Sequence, residues 1–244
     1  MDKIEALKEM IDSSNGKTVF FGGAGVSTAS NIPDFRSSKG IYNEKYGNIP
    51  IEQIISHTFF MRHPDIFYKV YKDKLCFPNA LPNYCHKALS ILEKRGLISS
   101  VITQNIDNLH QKAGSTNVIE LHGSVYRNYC MECHKSYSLD DVLKSNGIPK
   151  CTCGGMIKPD VVLYEESLDY NSITHALNEI SNAETLIIGG TSLSVYPAAS
   201  FIDYFKGKNL VIINMSPTSR DREANLLIND DISEVFKKLL ELYD

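Results

Sequence analysis

Thr18-Val19-Phe20-Phe21-Gly22-Gly23-Ala24-Gly25-Val26-Ser27 is the stretch on which the fold turns. A short apolar run entering a cluster of glycines reads as a buried strand that ends in a tight turn and opens a helix. Runs of the same kind recur at Val101-Ile102-Thr103, Val118-Ile119, Leu186-Ile187-Ile188 and Leu210-Val211-Ile212-Ile213, with helical patterns between most of them. This alternation predicts an α/β core of Rossmann-like type, a parallel sheet with helices on both faces. Upstream, Ile4, Leu7, Met10 and Ile11 repeat at helical spacing until Asn15-Gly16 stops them. Downstream, Ile232, Val235, Phe236, Leu239, Leu240 and Tyr243 form the stripe of a C-terminal helix that packs on the core.

Two stretches break the alternation. Residues 39–80 are rich in Tyr, Phe, His and Lys and look helical without a core strand, and residues 125–160 hold four clustered cysteines. Both read as insertions that fold into one small helical, zinc-binding module. Residues 1–38, 81–124 and 161–244 are left for the Rossmann-like core.

The 244 residues are 43% hydrophobic, enough for one sizeable core, and 22% charged, which is not a disordered composition. A net charge of -4 gives no global basic field, so no direct nucleic-acid partner is expected. The apolar runs are too short to cross a bilayer, and Met1-Asp2-Lys3-Ile4-Glu5 does not read as a signal peptide. The expectation is a soluble, cytoplasmic protein with no membrane partner.

The six cysteines are Cys76, Cys85, Cys130, Cys133, Cys151 and Cys153. Cys130-x-x-Cys133 and Cys151-x-Cys153 are two close pairs that suit one tetrahedral zinc, against the alternative of four unlinked thiols. A four-sulfur shell leaves no open position for water, so this zinc is expected to stabilise rather than catalyse. His134, beside Cys133, is a weaker substitute ligand.

The glycine turn has Gly23-x-Gly25, but Thr28 stands where a dinucleotide fingerprint has its third glycine, and no clear acidic residue ends a second strand about 20 residues on. Phosphate binding and an ordinary tight turn both remain open. Asn31-Ile32-Pro33-Asp34-Phe35-Arg36-Ser37 follows, and Gln104-Asn105-Ile106-Asp107 comes directly after the Val101 strand. Ligands of open parallel sheets bind outside the carboxyl ends of strands, where these polar residues crowd. The alternatives are a local salt bridge for Asp34–Arg36 and turn-making or capping for Asn105 and Asp107. His122 ends the Val118-Ile119 strand beside Gly123. It is either a structural imidazole or one that takes a proton near neutral pH.

Taken together and in order, Gly23-Ala24-Gly25-Val26-Ser27, Ile32-Pro33-Asp34-Phe35-Arg36, Thr103-Gln104-Asn105-Ile106-Asp107, Leu121-His122-Gly123, the two cysteine pairs, Gly190-Thr191-Ser192-Leu193 and Pro197-Ala198-Ala199 closely resemble the sirtuin family, from around Met10 to the C-terminus. Each motif is weak alone, and the ordered set is specific. The resemblance implies an NAD-dependent protein-lysine deacetylase that transfers the acyl group to ADP-ribose and releases nicotinamide and O-acetyl-ADP-ribose. It implies that Gly23, Ala24, Gly25 and Thr28 line the diphosphate site of NAD, and that Asp34, Phe35 and Arg36 form the cofactor loop, with Phe35 shielding the ribose. Ile32, Ile106 and Asp107 would hold the nicotinamide, Gln104 and Asn105 its ribose, and Gly190, Thr191, Ser192, Asn214 and Met215 the adenosine half. Val162, Tyr164 and Val195, with Phe35, would line the acyl-lysine tunnel. The peptide would add as a strand between the segments at Glu165–Ser167 and Ser194–Val195. His122, Asn105 and Asp107 are the implied catalytic residues, with His122 as general base on a ribose hydroxyl.

The chain departs from the family pattern in three places. Its second cysteine pair is spaced by one residue where two are common, so the turn must be tighter. Leu163-Tyr164-Glu165-Glu166 stands where many members have Phe-Phe-Gly-Glu. Members that remove succinyl or malonyl groups carry a Tyr and, three residues later, an Arg; Tyr68 and Tyr71 match those positions here. A tyrosine lacks the charged fork that guanidinium offers a carboxylate, so a neutral-acyl enzyme is expected. Acetylated-lysine proteins or peptides are the expected partners. The competing readings are a protein ADP-ribosyltransferase and a non-catalytic NAD-sensing zinc module; Asn105, Asp107, His122 and an apolar tunnel favour deacylation over both. A hydride-transferring dehydrogenase is disfavoured by the irregular fingerprint.

Overall fold

The computed structural model describes residues 2–38 and 40–243; Met1, Lys39 and Asp244, which the sequence reading places at the chain ends and at the start of the first insertion, lie outside the described residues. The chain runs through α1 (Lys3–Ser13), β1 (Thr18–Gly22), β2 (Lys45–Tyr46), β3 (Ile49–Pro50), α2 (Ile51–Ile54), α3 (His57–Arg62) and α4 (Pro64–Lys74). It continues through α5 (Tyr84–Lys94), β4 (Ile98–Thr103), α6 (Leu109–Ala113), β5 (Val118–Glu120), β6 (Gly123–Cys130), β7 (Ser136–Ser138), α7 (Leu139–Lys144) and β8 (Ile157–Val161). It closes with α8 (Tyr170–Asn182), β9 (Thr185–Gly189), β10 (Asn209–Ile213), β11 (Leu226–Ile228) and α9 (Ile232–Glu241).

Six strands form the main sheet in the order β11-β10-β9-β1-β4-β5, with every pairing parallel. In β1 every residue is buried, because side chains alternate into two separate cores. Phe20 packs with Leu7 of α1, Leu89 of α5 and Phe236 of α9. Val19 and Phe21 pack on the other face with Ile180 of α8 and Phe201. From β1 the chain builds outward through β4 and β5, then returns beside β1 as β9 and builds the other way. Strand order therefore reverses between β1 and β9, and a crevice opens beyond their carboxyl ends.

A third core joins the two insertions. Phe60, Phe67, Tyr68 and Tyr71 from the first pack with Val125, Cys130, Val142 and Ile157 in or beside the second. β6 lies between β7 and β8, antiparallel to both. The first insertion also contains the short antiparallel pair β2–β3, which its aromatic-rich sequence did not announce.

The glycine turn does not open an α-helix. Two 3-10 turns, Ala24–Val26 and Thr28–Ser30, follow β1 and end on Asn31 in the left-handed region. Pro33 lies two residues further on, has no N–H, and disfavours helical backbone at Ile32. Asn83, which caps α5, fastens the turns by donating from Nδ2 to Val26 O and Ser30 Oγ. Among the described residues no helix is long and apolar enough to cross a membrane.

Candidate active site

The loops leaving β1 and β9 meet backbone to backbone. Gly23 N–H donates to Gly189 O at 3.1 Å, and Gly25 N–H to Gly190 O at 2.8 Å. A Cβ on Gly25 would sit 2.8 Å from Gly190 Cα, and one on Gly190, itself at φ +59°, would sit 2.4 Å from Val26 N. These glycines are thus required first by contact between two loops, and any ligand against them meets a surface made of backbone.

The end of β4 supplies the polar floor. Asn105 is buried and donates from Nδ2 to Ser27 Oγ at 3.1 Å. Ser27 Oγ donates in turn to Asp107 Oδ2 at 2.6 Å, while Asp107 Oδ1 accepts the Leu109 N–H at 2.9 Å. Burial raises the Asp107 pKa above the usual carboxylate value, and the bonds from Ser27 and Leu109 oppose that shift. Gln104 reaches across the sheet, donating from Nε2 to Thr191 Oγ1 at 3.3 Å.

His122 stands at the end of the next segment, with Nδ1 2.9 Å from Gln104 O. A carbonyl only accepts, so Nδ1 carries the hydrogen and Nε2 keeps its lone pair. Burial pushes the imidazole pKa below its ordinary value, and the bond to Gln104 acts the other way. The side chain is therefore neutral at neutral pH, the form a general base needs.

One cavity of about 790 Å³ collects these groups. Gly23, Ala24, Gly25 and Thr28 line it from the first loop, and Gly190, Thr191 and Ser192 from the second. Asn214 and Met215 line it beyond β10. Ile32, Asp34, Phe35 and Arg36 line it from the segment after the 3-10 turns, and Gln104, Asn105, Ile106 and Asp107 from the end of β4. His122, Val162, Tyr164 and Val195 complete the wall nearest the small module.

Sequence reasoning gave no role to three further groups in the cavity. Ser27 bridges Asn105 and Asp107; its adjacency to the glycine turn was the only signal. Tyr42 Oη lies 2.6 Å from Tyr164 Oη, and Arg36 Nη2 donates to the same Tyr164 Oη at 3.3 Å. Phe35 packs on the Tyr42 ring at 5.3 Å. Tyr42 sits in the unpatterned aromatic insertion, where no periodicity points to it. Asp230 and Asp231 follow β11 and could have been found by the end-of-strand rule, had that short strand been recognised.

Tyr68 and Tyr71 require a correction. Both are buried in the small-module core and neither is among the residues lining the cavity. The Tyr68 hydroxyl donates to Ile157 O, and the Tyr71 ring stacks on Phe67 at 5.5 Å. The i, i+3 spacing turns both rings to the packed face of α4. Lys72 points elsewhere, donating to Ser145 O at 2.7 Å.

The four cysteines come together beside β6 and β8. Their sulfurs lie within 4.8 Å of one another, with Cys130–Cys153, Cys133–Cys151 and Cys133–Cys153 each at 3.5 Å. Zinc–sulfur bonds of about 2.3 Å require tetrahedral edges of about 3.8 Å, so the donor set fits a zinc ion. The single-residue spacing is accommodated by Gly154 at φ +92°, with Gly154 N–H bonded to Cys151 O and Cys151 N–H to Gly155 O. A Cβ on Gly155 would lie 2.8 Å from Cys130 Sγ.

A family model described as the Sir2 family matches residues 23–197. An NAD-dependent protein deacetylase of Clostridium perfringens is 59% identical over 244 residues, covering 98% of this chain and 99% of that protein. A solved Sir2 structure with a deacetylated p53 peptide and 3'-O-acetyl ADP-ribose superposes with a TM-score of 0.91 at 40% identity, covering 99% of this chain and 98% of the other. A Sir2 structure with p53 peptide and NAD+ gives 0.88 at 39% identity, covering 100% and 99%.

Proposed function

The chain belongs to the Sir2 family, and from that premise we propose that it is an NAD-dependent protein-lysine deacetylase, which moves the acetyl group of acetyl-lysine onto ADP-ribose and releases nicotinamide. The observation that carries this reading is the convergence on one cavity of the Ser27–Asn105–Asp107 network and a neutral His122 with Nε2 unprotonated. NAD supplies a ribose carbon made reactive by nicotinamide as leaving group, and the acetyl oxygen takes that carbon.

The residues then divide the work. Gly23, Ala24, Gly25 and Thr28 hold the diphosphate, and Gly190, Thr191, Ser192, Asn214 and Met215 surround the adenosine half. Ile32, Ile106 and Asp107 enclose the nicotinamide, with Asp107 oriented toward the carboxamide by its bonds to Ser27 and Leu109. Gln104 and Asn105 hold the ribose. His122 takes a proton at Nε2 from a ribose hydroxyl, whose oxygen attacks the acetyl carbon. The bond from that carbon to the lysine nitrogen breaks, and the nitrogen takes a proton and leaves as the free amine. Only then does one water open the bond to the first ribose carbon to give O-acetyl-ADP-ribose. Phe35 and the apolar walls at Val162, Tyr164 and Val195 keep out water that would intercept the reactive species. Cys130, Cys133, Cys151 and Cys153 hold a structural zinc away from the reaction.

The working units are residues 1–38, 81–124 and 161–244 as the NAD-binding core, and 39–80 with 125–160 as the small module. Four thiols poised for metal suit a reducing compartment, which supports action in the cytoplasm. The acyl preference is acetyl over succinyl. Of the cations lining the cavity, Lys74 is paired with Glu44 at 2.7 Å and Arg36 serves Tyr164. The test compares kcat/KM on matched acetyl- and succinyl-lysine peptides with and without NAD. Acetyl turnover that requires NAD and exceeds succinyl turnover is expected. Succinyl turnover equal or better overturns the acyl assignment, and turnover without NAD overturns the function.

A further inference from the structure

Glu165 occupies a position that disfavours it. Its φ is +74°, in the left-handed region where glycine is the easy choice and a branched or long side chain is strained. A residue kept in such a conformation needs a compensating interaction, and Glu165 has one. Its Oε2 accepts the Thr58 N–H at 2.8 Å, at the first turn of α3 in the small module. Hydrogen bonding from Thr58, hydroxyl first and then N–H, holds its carboxyl below the usual value.

That bond is one of a row joining the cleft segment to the first insertion. Tyr164 N–H donates to Ile55 O at 3.1 Å, and His57 N–H donates to Tyr164 O at 2.9 Å. Glu166 Oε1 lies 2.8 Å from His57 Nδ1, while its Oε2 accepts from buried Lys158 at 3.1 Å and from Leu163 N–H at 3.0 Å. Tyr164 thus commits both backbone groups to this edge, and Leu163 is bonded on both of its backbone groups to Glu166, so an added strand would pair with the segment from Glu165 onward.

We propose that Glu165 is a positioning residue for the peptide substrate: its carboxylate latches the cleft segment to α3, so the edge that receives the acetyl-lysine peptide is preformed before binding. This rests on the deacetylase reading of the cleft. A preformed edge lowers the ordering cost of binding, so the latch acts on peptide affinity and leaves NAD affinity alone.

The test uses the full-length protein, Glu165→Gly and Glu165→Gln. Glycine removes the bond while easing the backbone, so a loss cannot come from strain; glutamine keeps an accepting oxygen and removes the charge. Three quantities are read: the KM of an acetyl-lysine peptide at saturating NAD, its Kd by titration, and hydrogen exchange at the Thr58 amide. Loss of one hydrogen bond predicts that E165G raises peptide KM and Kd about five-fold, with KM for NAD unchanged and faster Thr58 exchange, while E165Q stays near the parent. E165G with parental peptide affinity and exchange overturns the latch. E165Q matching E165G overturns it too, since charge and not the hydrogen bond would then be responsible. If the parent binds peptide but transfers no acetyl group, the deacetylase reading falls, and Kd and exchange still decide the latch.

Discussion

At the scale of single residues, the role proposed for His122 as general base depends on one protonation state. Its Nδ1–H is committed to Gln104 O, which leaves the lone pair of Nε2 for that proposed role, and burial favours the neutral ring. Proton uptake as pH falls would remove the base. Because burial lowers the pKa, the acid limb of kcat/KM for the free enzyme should lie below about 6.5. His122→Ala should lower the rate at least about 10²-fold while far-UV circular dichroism and metal content match the parent. An alanine variant with near-parental turnover, or a limb above the ordinary histidine value, would remove His122 from this role. Residue identities at the strand ends could be read from the sequence because each motif follows a recognisable apolar run. The bonds among them could not, since nothing in linear order says that Ser27 lies between Asn105 and Asp107, which sit 78 and 80 positions away. The same limit misdirected the reading of Tyr68 and Tyr71: spacing put them on one face of α4 but did not say what that face meets.

At the scale of elements, strands marked by an apolar run were legible, the three-residue β5 among them, and other short strands were not. β1, β4, β9 and β10 carry runs that only a core strand explains, whereas β11 and the β2–β3 pair are too brief for any period to emerge. The glycine turn looked like a helix start because that is its usual setting; the left-handed Asn31 and Pro33 decided otherwise. The contact between α5 and α6 yields a prediction of its own. His110 is fully buried, with its ring 4.6 Å from His86 and 6.1 Å from Phe20. Burial lowers the His110 pKa to about 4, and it lowers that of His86 as well. The unfolded chain takes up these protons below about 6.5, while folded His110 does so only near 4. Between those values the unfolded state binds more protons, so stability present above the upper value is lost as pH falls toward the lower. His110 alone contributes on the order of 3 kcal/mol to that loss. His110→Leu should therefore show a smaller fall in Tm than the parent between about pH 7 and pH 5. Equal falls in the two proteins would remove the histidine from the acid transition.

At the scale of the whole molecule, the two insertions make one body whose core runs from α4 to the cysteine cluster, and β8 carries it back to the cleft. Val161 ends β8, and Val162 lines the cavity while donating its N–H to His122 O at 3.0 Å. Metal removal should be felt there. Purified protein should carry about one zinc per chain, and a chelator should lower Tm and peptide turnover together. Zinc far below that level in a fully stable, active protein would contradict the four-sulfur site. That residues 39–80 and 125–160 interrupt the sheet pattern was visible from their broken rhythm and paired cysteines; how they frame the cleft was not, because the bonds at Ile55–Thr58 and Tyr164–Glu166 join segments more than a hundred residues apart. The most direct measurement follows the acetyl group itself. A peptide carrying an isotopically labelled acetyl-lysine is incubated with the protein and NAD, and all products are weighed by mass spectrometry. Transfer to the cofactor predicts the label in O-acetyl-ADP-ribose, with nicotinamide and free lysine formed in equal amounts. Label remaining on the peptide while ADP-ribose appears on protein, or label appearing as acetate with NAD intact, would contradict it.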